Sequence, residues 1–144
     1  MSYKILAINP GSTSTKVALY EEERPLFDFT LRHTTEELAE FPEIIQQLDW
    51  RRGQILEALR ERNVSLDELA AVIGRGGLIR PVPAGVYEVN SRMRHDLRNA
   101  KMKHACNLGG LLAAQIAHMA HVKAYIADPP VVDEMDDVAR ITGM

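Results

Sequence analysis

Residues 5–16 read ILAINPGSTSTK, an order that leaves the chain few ways to fold. An apolar run enters Pro10 and Gly11, four hydroxyl residues follow without interruption, and Lys16 closes the stretch before apolar character resumes at Val17. The pattern predicts a buried strand over residues 3–9 and a second over 15–20, joined by a tight turn at 10–14. Such a turn crowds backbone N–H groups and small hydroxyls into one concavity, which suits an anion. Gly11 carries no Cβ to obstruct a ligand's approach. The same residues are also compatible with an ordinary turn whose hydroxyls are solvated. The stretch is not a Walker A loop, which needs a second glycine before the lysine and a helix after it.

Further along, EEERP at residues 21–25 predicts a second turn, and the alternation over 26–31 a third strand, giving an antiparallel meander at the amino end. TTEE places a helix start at Thr34, with Glu37 three residues on as its capping partner. Residues 42–62 carry a helical pattern with Leu48, Ile55, Leu56 and Leu59 on one face. Ser65 and Glu68 form a second capping-box signature, followed by a short apolar strand at 70–74 expected to run parallel. RGGLIRPVPAG is a loop, VYEV a short strand, and Ser91 begins a basic, exposed helix. A further helix is expected over 107–122, with Leu108, Leu111, Leu112, Gln115 and Met119 on one side, and a last strand over 124–127 ends at Asp128. Meander first and crossovers later indicate a layered α/β domain.

The chain has 144 residues, enough for one domain with a real core. A net charge of -3 argues against nucleic-acid binding through bulk electrostatics. One cysteine excludes an internal disulfide framework and suits a reducing cytoplasm. The most apolar stretch, LGGLLAAQIAHMAHVKAYIA, is interrupted by Gln115, His118, His121 and Lys123, too polar for a membrane span.

The opening run resembles the amino-terminal signature of the acetate kinase family of carboxylate kinases: apolar lead, Asn-x-Gly-Ser, two hydroxyls, one residue, then Lys. Three further segments resemble the branch of that family acting on butyrate and branched-chain acids. They are VIGRGGLIRPVPAGVYEV with Arg75, KHACNLGGLLAAQIA with His104 and Asn107, and AYIADPPVVDEMDDVARITG with Asp128. The resemblance implies an actin-like, ribonuclease-H-like ATPase half-domain whose first hairpin holds nucleotide phosphates. It implies ATP or ADP and Mg²⁺ as cofactors, a short-chain carboxylate as substrate, and reversible phosphoryl transfer between ATP and butyrate or a branched short-chain fatty acid.

Carried over residue by residue, Asn9, Gly11, Ser12, Thr13, Ser14 and Lys16 would line the phosphate side. Arg75 would neutralise the acyl substrate or the transferred phosphoryl, a task that suits a planar, permanent cation. Asp128, at a strand's carboxyl end, would orient Mg²⁺ through water or position the attacking carboxylate. His104 and Asn107 are assigned to the acyl wall, with Val82, Pro83 and Val86 as apolar candidates. Without the resemblance, Arg75 reads as a surface loop residue, and Asp128 and Asn107 as helix caps. His118 and His121 lie three apart, with no third ligand evident for a metal site. The basic face of Arg92, Arg94, Arg98, Lys101 and Lys103 reads as solvated, and Glu134, Asp136 and Asp137 as first-turn helix charges.

Such kinases have two actin-like halves, and the later elements have no counterpart here. The expected partners are therefore nucleotide, carboxylate and a missing second kinase domain, with another copy of the chain left open. Alone, the chain is expected to be weakly active or inactive. Two other classes stay open: a non-catalytic actin-like assembly module, and a kinase of the same superfamily acting on a hydroxyl.

Overall fold

The computed structural model describes residues 3–75, 86–99 and 105–127. The meander forms as expected: β1 (Lys4–Pro10), β2 (Ser14–Glu21) and β3 (Arg24–Arg32) pair antiparallel in sequence. β4 (Leu69–Arg75) lies parallel to β1, and β6 (Lys123–Ala127) parallel to β4. The short β5 (Val86–Glu88) closes the far edge antiparallel to β6, giving the order β3-β2-β1-β4-β6-β5.

Strand periodicity divides this sheet into two faces. Leu6, Ile8, Val17, Leu19, Val72 and Ala124 point to one face. There they pack under α2 (Leu48–Glu61) and α4 (Gly109–Ala120), which contribute Leu48, Ile55, Leu59, Leu111, Leu112 and Ile116. Each fully buried Leu or Ile stabilises the fold by about 1.5–3 kcal/mol. The opposite face carries a second cluster of Ile5, Ala7, Ala71, Ile73, Tyr125 and Ala127, to which neither α2 nor α4 contributes.

Several boundaries differ from expectation, each for a local reason. Thr34 caps α1 (Thr35–Leu38) as its sequence predicts: its hydroxyl accepts from the Glu37 amide at 3.1 Å, and the Glu37 carboxylate accepts from the Thr34 amide at 2.9 Å. The helix expected over 42–62 is split into a 3-10 turn at Ile44–Gln47 and then α2. Glu43 and Gln46 close that turn, the Glu43 amide donating to Gln46 Oε1 at 3.0 Å. The Ser65–Glu68 capping box does not form. Ser65 Oγ accepts from the Asp67 amide over a single 3-10 turn, while Glu68 pairs with Lys4 at 3.3 Å. Leu26 falls out of phase at a β-bulge and is exposed, while Phe27, Phe29 and Leu31 face the core. In α4 the buried side also takes Ala113, Ala114 and Ala117, so Met119 is turned to solvent at 47% exposure. α4 is capped by Leu108, not Asn107, which sits in a 3-10 turn at Ala105–Leu108. The helix beginning at Ser91 is α3 (Ser91–Asn99), with Arg92, Arg94 and His95 exposed.

Candidate functional site

The register brings polar side chains from four strands into one row. Asn9 of β1 faces Lys16 of β2, and Lys16 faces Thr30 of β3. On the other side of β1, Ile8 faces Gly74, which sets Arg75 level with Asn9. Four adjacent strands about 4.8 Å apart make a row roughly 14 Å long, at the carboxyl ends of parallel β1 and β4. The row lines a cleft of about 310 Å³ on the sheet face away from α2 and α4, together with Asp28 and Tyr20. Its floor is low because Ala7 and Ala18, in the row beneath, have small side chains. Two cations, Lys16 and Arg75, oppose one carboxylate, Asp28, so the lining has an excess of positive charge.

The turn joins the two middle strands of this row, and three of its carbonyls are occupied by the protein. Ser14 O accepts from the Gly11 amide at 2.7 Å, and Thr13 O from the His33 amide at 2.9 Å. Ser12 O accepts from Arg51 Nη2 at 3.4 Å, and Ser14 O also from Arg51 Nη1 at 3.1 Å. Ser12 and Thr13 are exposed, and their amides donate to none of the described groups. Tied carbonyls and open amides make a donor-rich turn, suited to an anion. Gly11 is not demanded by internal packing. A Cβ there would meet only Ser14 O and Oγ at 3.6 Å, an ordinary contact, so any need for glycine comes from a ligand's side.

Behind the turn, on the helix face, is a buried polar cluster that the sequence pattern did not disclose. Arg51 and Thr15 are fully buried and His33 nearly so. Arg51 Nη1 donates to Thr15 Oγ1 at 3.1 Å and its Nε to Gln47 Oε1 at 3.0 Å. Thr15 Oγ1 and His33 Nε2 share a hydrogen bond of 2.8 Å, and the imidazole packs on Trp50 with centroids 4.7 Å apart. Burial first, then the Arg51 charge, pulls the His33 pKa below its ordinary 6.5, so the ring is neutral at pH 7. A signal existed: Arg51 falls between Leu48 and Ile55 on the stripe of α2 that is otherwise apolar.

Of the residues expected at the site, Asn9, Lys16 and Arg75 come together in the cleft, whereas Gly11, Ser12, Thr13 and Ser14, at the turn that joins β1 to β2, are not among its described lining residues. Asp28 and Thr30 join the first three, marked beforehand by nothing more than their alternation with Phe27 and Phe29. Asn107 is half-buried ahead of α4 and is not one of the described cleft-lining residues. Asp128 and His104 lie outside the described residues, as do Val82, Pro83, Lys101, Lys103, Glu134, Asp136, Asp137 and the side chains of Val86 and Arg98. Ala127, the residue before Asp128, pairs with Arg75. Among the described residues no three His, Cys, Asp or Glu side chains group as a metal site, and no helix is long and apolar enough to cross a membrane.

No protein-family model matches the chain. A solved acetate kinase from Porphyromonas gingivalis superposes with a TM-score of 0.51 at 18% identity, covering 87% of this chain and 37% of that one. An exopolyphosphatase-like protein superposes with a TM-score of 0.51 at 12% identity, covering 97% and 58%. Such identities speak for fold alone, and the fold they share with the six-stranded mixed sheet is that of an actin-like ATPase half-domain. Sequence narrows the class. Butyrate kinase 1 of Clostridium acetobutylicum is 49% identical over 143 residues, 99% of this chain and 40% of its own length. A probable butyrate kinase of Bacteroides thetaiotaomicron is 52% identical over 141 residues, 97% of this chain and 40% of its own. The chain is a homologue of the butyrate kinases and spans about two fifths of their length, consistent with an amino-terminal portion of one.

Proposed function

We propose that this chain is the phosphate-holding half of a carboxylate kinase, which transfers a phosphoryl group reversibly between ATP and butyrate or a branched short-chain acid. The observation that carries the reading is the convergence of Asn9, Lys16 and Arg75, from three neighbouring strands, on one cleft, with the open amides of Ser12 and Thr13 in the turn that joins two of those strands. The similarity to butyrate kinases supplies the carboxylate as acceptor.

In the forward direction a carboxylate oxygen attacks the γ-phosphorus. The new O–P bond forms as the bond from that phosphorus to the β,γ-bridging oxygen breaks, and the electron pair leaves with ADP. The attacking acid is already ionised, so no proton has to move. Two anions must approach each other, and catalysis consists mainly of positioning and charge neutralisation. The Ser12 and Thr13 amides and Lys16 hold phosphate oxygens, while Asn9 donates from the row's centre. Arg75, one strand away, presents its fork to the carboxylate or to the phosphoryl in transit. The oxygen atoms of Asp28, Thr30 and Asn9 are donors of the kind that a hard cation takes, and Asp128 is assigned the same duty. Mg²⁺, when bound, would supply neutralisation of the phosphates' negative charge. His104 and Asn107 are assigned to the acyl side.

A coupled assay with butyrate, ATP and Mg²⁺ tests this on the chain and on a longer form carrying the second domain. The longer form should turn over butyrate, and Arg75→Ala within it should lower turnover by about a hundredfold. Absence of butyrate-dependent turnover in the longer form refutes the reading. Turnover with a hydroxyl substrate instead would assign a sugar-type kinase, and partner capture or filament formation without turnover an assembly module.

A further inference from the structure

Arg51 is fully buried, yet every acceptor it uses is uncharged: Gln47 Oε1, Thr15 Oγ1 and the carbonyls of Ser14 and Ser12. No carboxylate among the described residues forms an ion pair with it. A buried cation without a counter-charge is costly, and desolvation lowers its pKa to about 10, still high enough to keep it charged at pH 7. Methionine of similar reach would pack in the same space without that cost. The neighbouring His33 is neutral and gives no compensation. The cluster belongs to the helix face, whereas the cleft belongs to the opposite face, and the turn of residues 11–14 lies between them.

We propose that Arg51 is a positioning residue for the anion held at the turn: it draws the Ser12 and Ser14 carbonyls to the protein side, leaves the Ser12 and Thr13 amides to the ligand, and has its charge completed by the ligand's phosphate. The proposal rests on the reading of the turn as a phosphate site. Loss of Arg51 frees the Ser12 carbonyl oxygen, leaves Ser14 O with the Gly11 amide alone, and removes a positive charge from behind the turn. Lysine keeps the charge but, as a single ammonium, does not reproduce the fork that reaches Ser12, Ser14 and Gln47 together.

The test titrates the chain with inorganic pyrophosphate and follows the amide resonances of Ser12 and Thr13, with those of Ile5 and Ile73 reporting the fold. In the natural sequence the Ser12 and Thr13 resonances should shift on titration. Arg51→Met should bind about tenfold more weakly, and its affinity should depend less on ionic strength. Arg51→Lys should be about threefold weaker with the ionic-strength dependence retained, which a packing defect alone would not produce. If the natural sequence shows no shift at Ser12 and Thr13, the phosphate site and this role for Arg51 both fall. If it binds, and a folded Arg51→Met variant binds within about twofold of it, only the role of Arg51 falls. Should Arg51→Met fail to fold, Arg51→Lys decides: binding within about twofold and unchanged Ser12 and Thr13 shifts overturn the proposal.

Discussion

The strand bearing Arg75 and the helix α4 meet backbone to backbone, and the effect of a single methyl group there can be worked out. A Cβ on Gly74 would lie 2.2 Å from Gly109 O, 2.5 Å from Gly109 C and 3.1 Å from Gly110 N. The reciprocal Cβ on Gly109 would lie 2.4 Å from Arg75 O. All these atoms are main chain, so none can rotate away. Restoring an ordinary contact of 3.4 Å requires β4 and the start of α4 to part by about 1.2 Å. Leu111, Leu112 and Ile116 follow within two turns and are essentially inaccessible to solvent, so that displacement is transmitted into the core. Overpacking of this kind costs about 3 kcal/mol for Gly74→Ala, the upper end of the usual range, because the clash is with backbone. With an unfolding entropy of about 2.1 cal/mol/K per residue, a chain of this length loses about 10 °C in Tm. Thermal and urea unfolding followed by circular dichroism measure it. The Gly74→Ala/Gly109→Ala double variant should lose less than the sum of the two single losses, since the first substitution already opens the contact. A Gly74→Ala variant melting within about 3 °C of the natural sequence would refute the close approach of β4 and α4.

Gly53 is exposed in the interior of α2, and a Cβ there would meet nothing within 4 Å. Gly53→Ala should therefore stabilise by about 0.5–1 kcal/mol, the opposite sign from Gly74→Ala, measured by the same melts. His33 has its pKa depressed by burial and by Arg51, so below its ordinary 6.5 the unfolded chain binds more protons than the folded one. Stability from this group is present above pH 6.5 and is lost as pH falls from there towards the folded pKa. Urea midpoints at pH 7.5 and 5.5 should differ less in a His33→Gln variant than in the natural sequence, and an equal difference would remove His33 as the source.

How much of this was legible beforehand depended on the range of the interaction concerned. The hairpin, the strand β4 and the Thr34 cap were readable because an apolar run, strand alternation, a short turn and a three-residue cap spacing are local. The Ser65 signature had the same spacing and failed because Glu68 finds Lys4 sixty-four residues away, which no local rule anticipates. Asn9 and Lys16 could be placed together because the hairpin register fixes them, whereas Asp28 and Thr30 enter the cleft through the pairing of β3 with β2. Arg75 illustrates the intermediate case: its family resemblance marks it, but its presence beside Asn9 depends on a parallel pairing with β1, closed by a crossover of more than forty residues. Arg51 illustrates the opposite one. Its place on an apolar stripe was visible, and the rule that helix faces bury hydrocarbon assigned that stripe wholly to the core. A charge retained where the core wants none is informative when the groups it touches are the carbonyls of a turn, because removing those carbonyls from the ligand's side is half of making an anion site. The hairpin's donors and the helix's buried cation are two sides of one device, and a sequence presents them thirty-five residues or more apart.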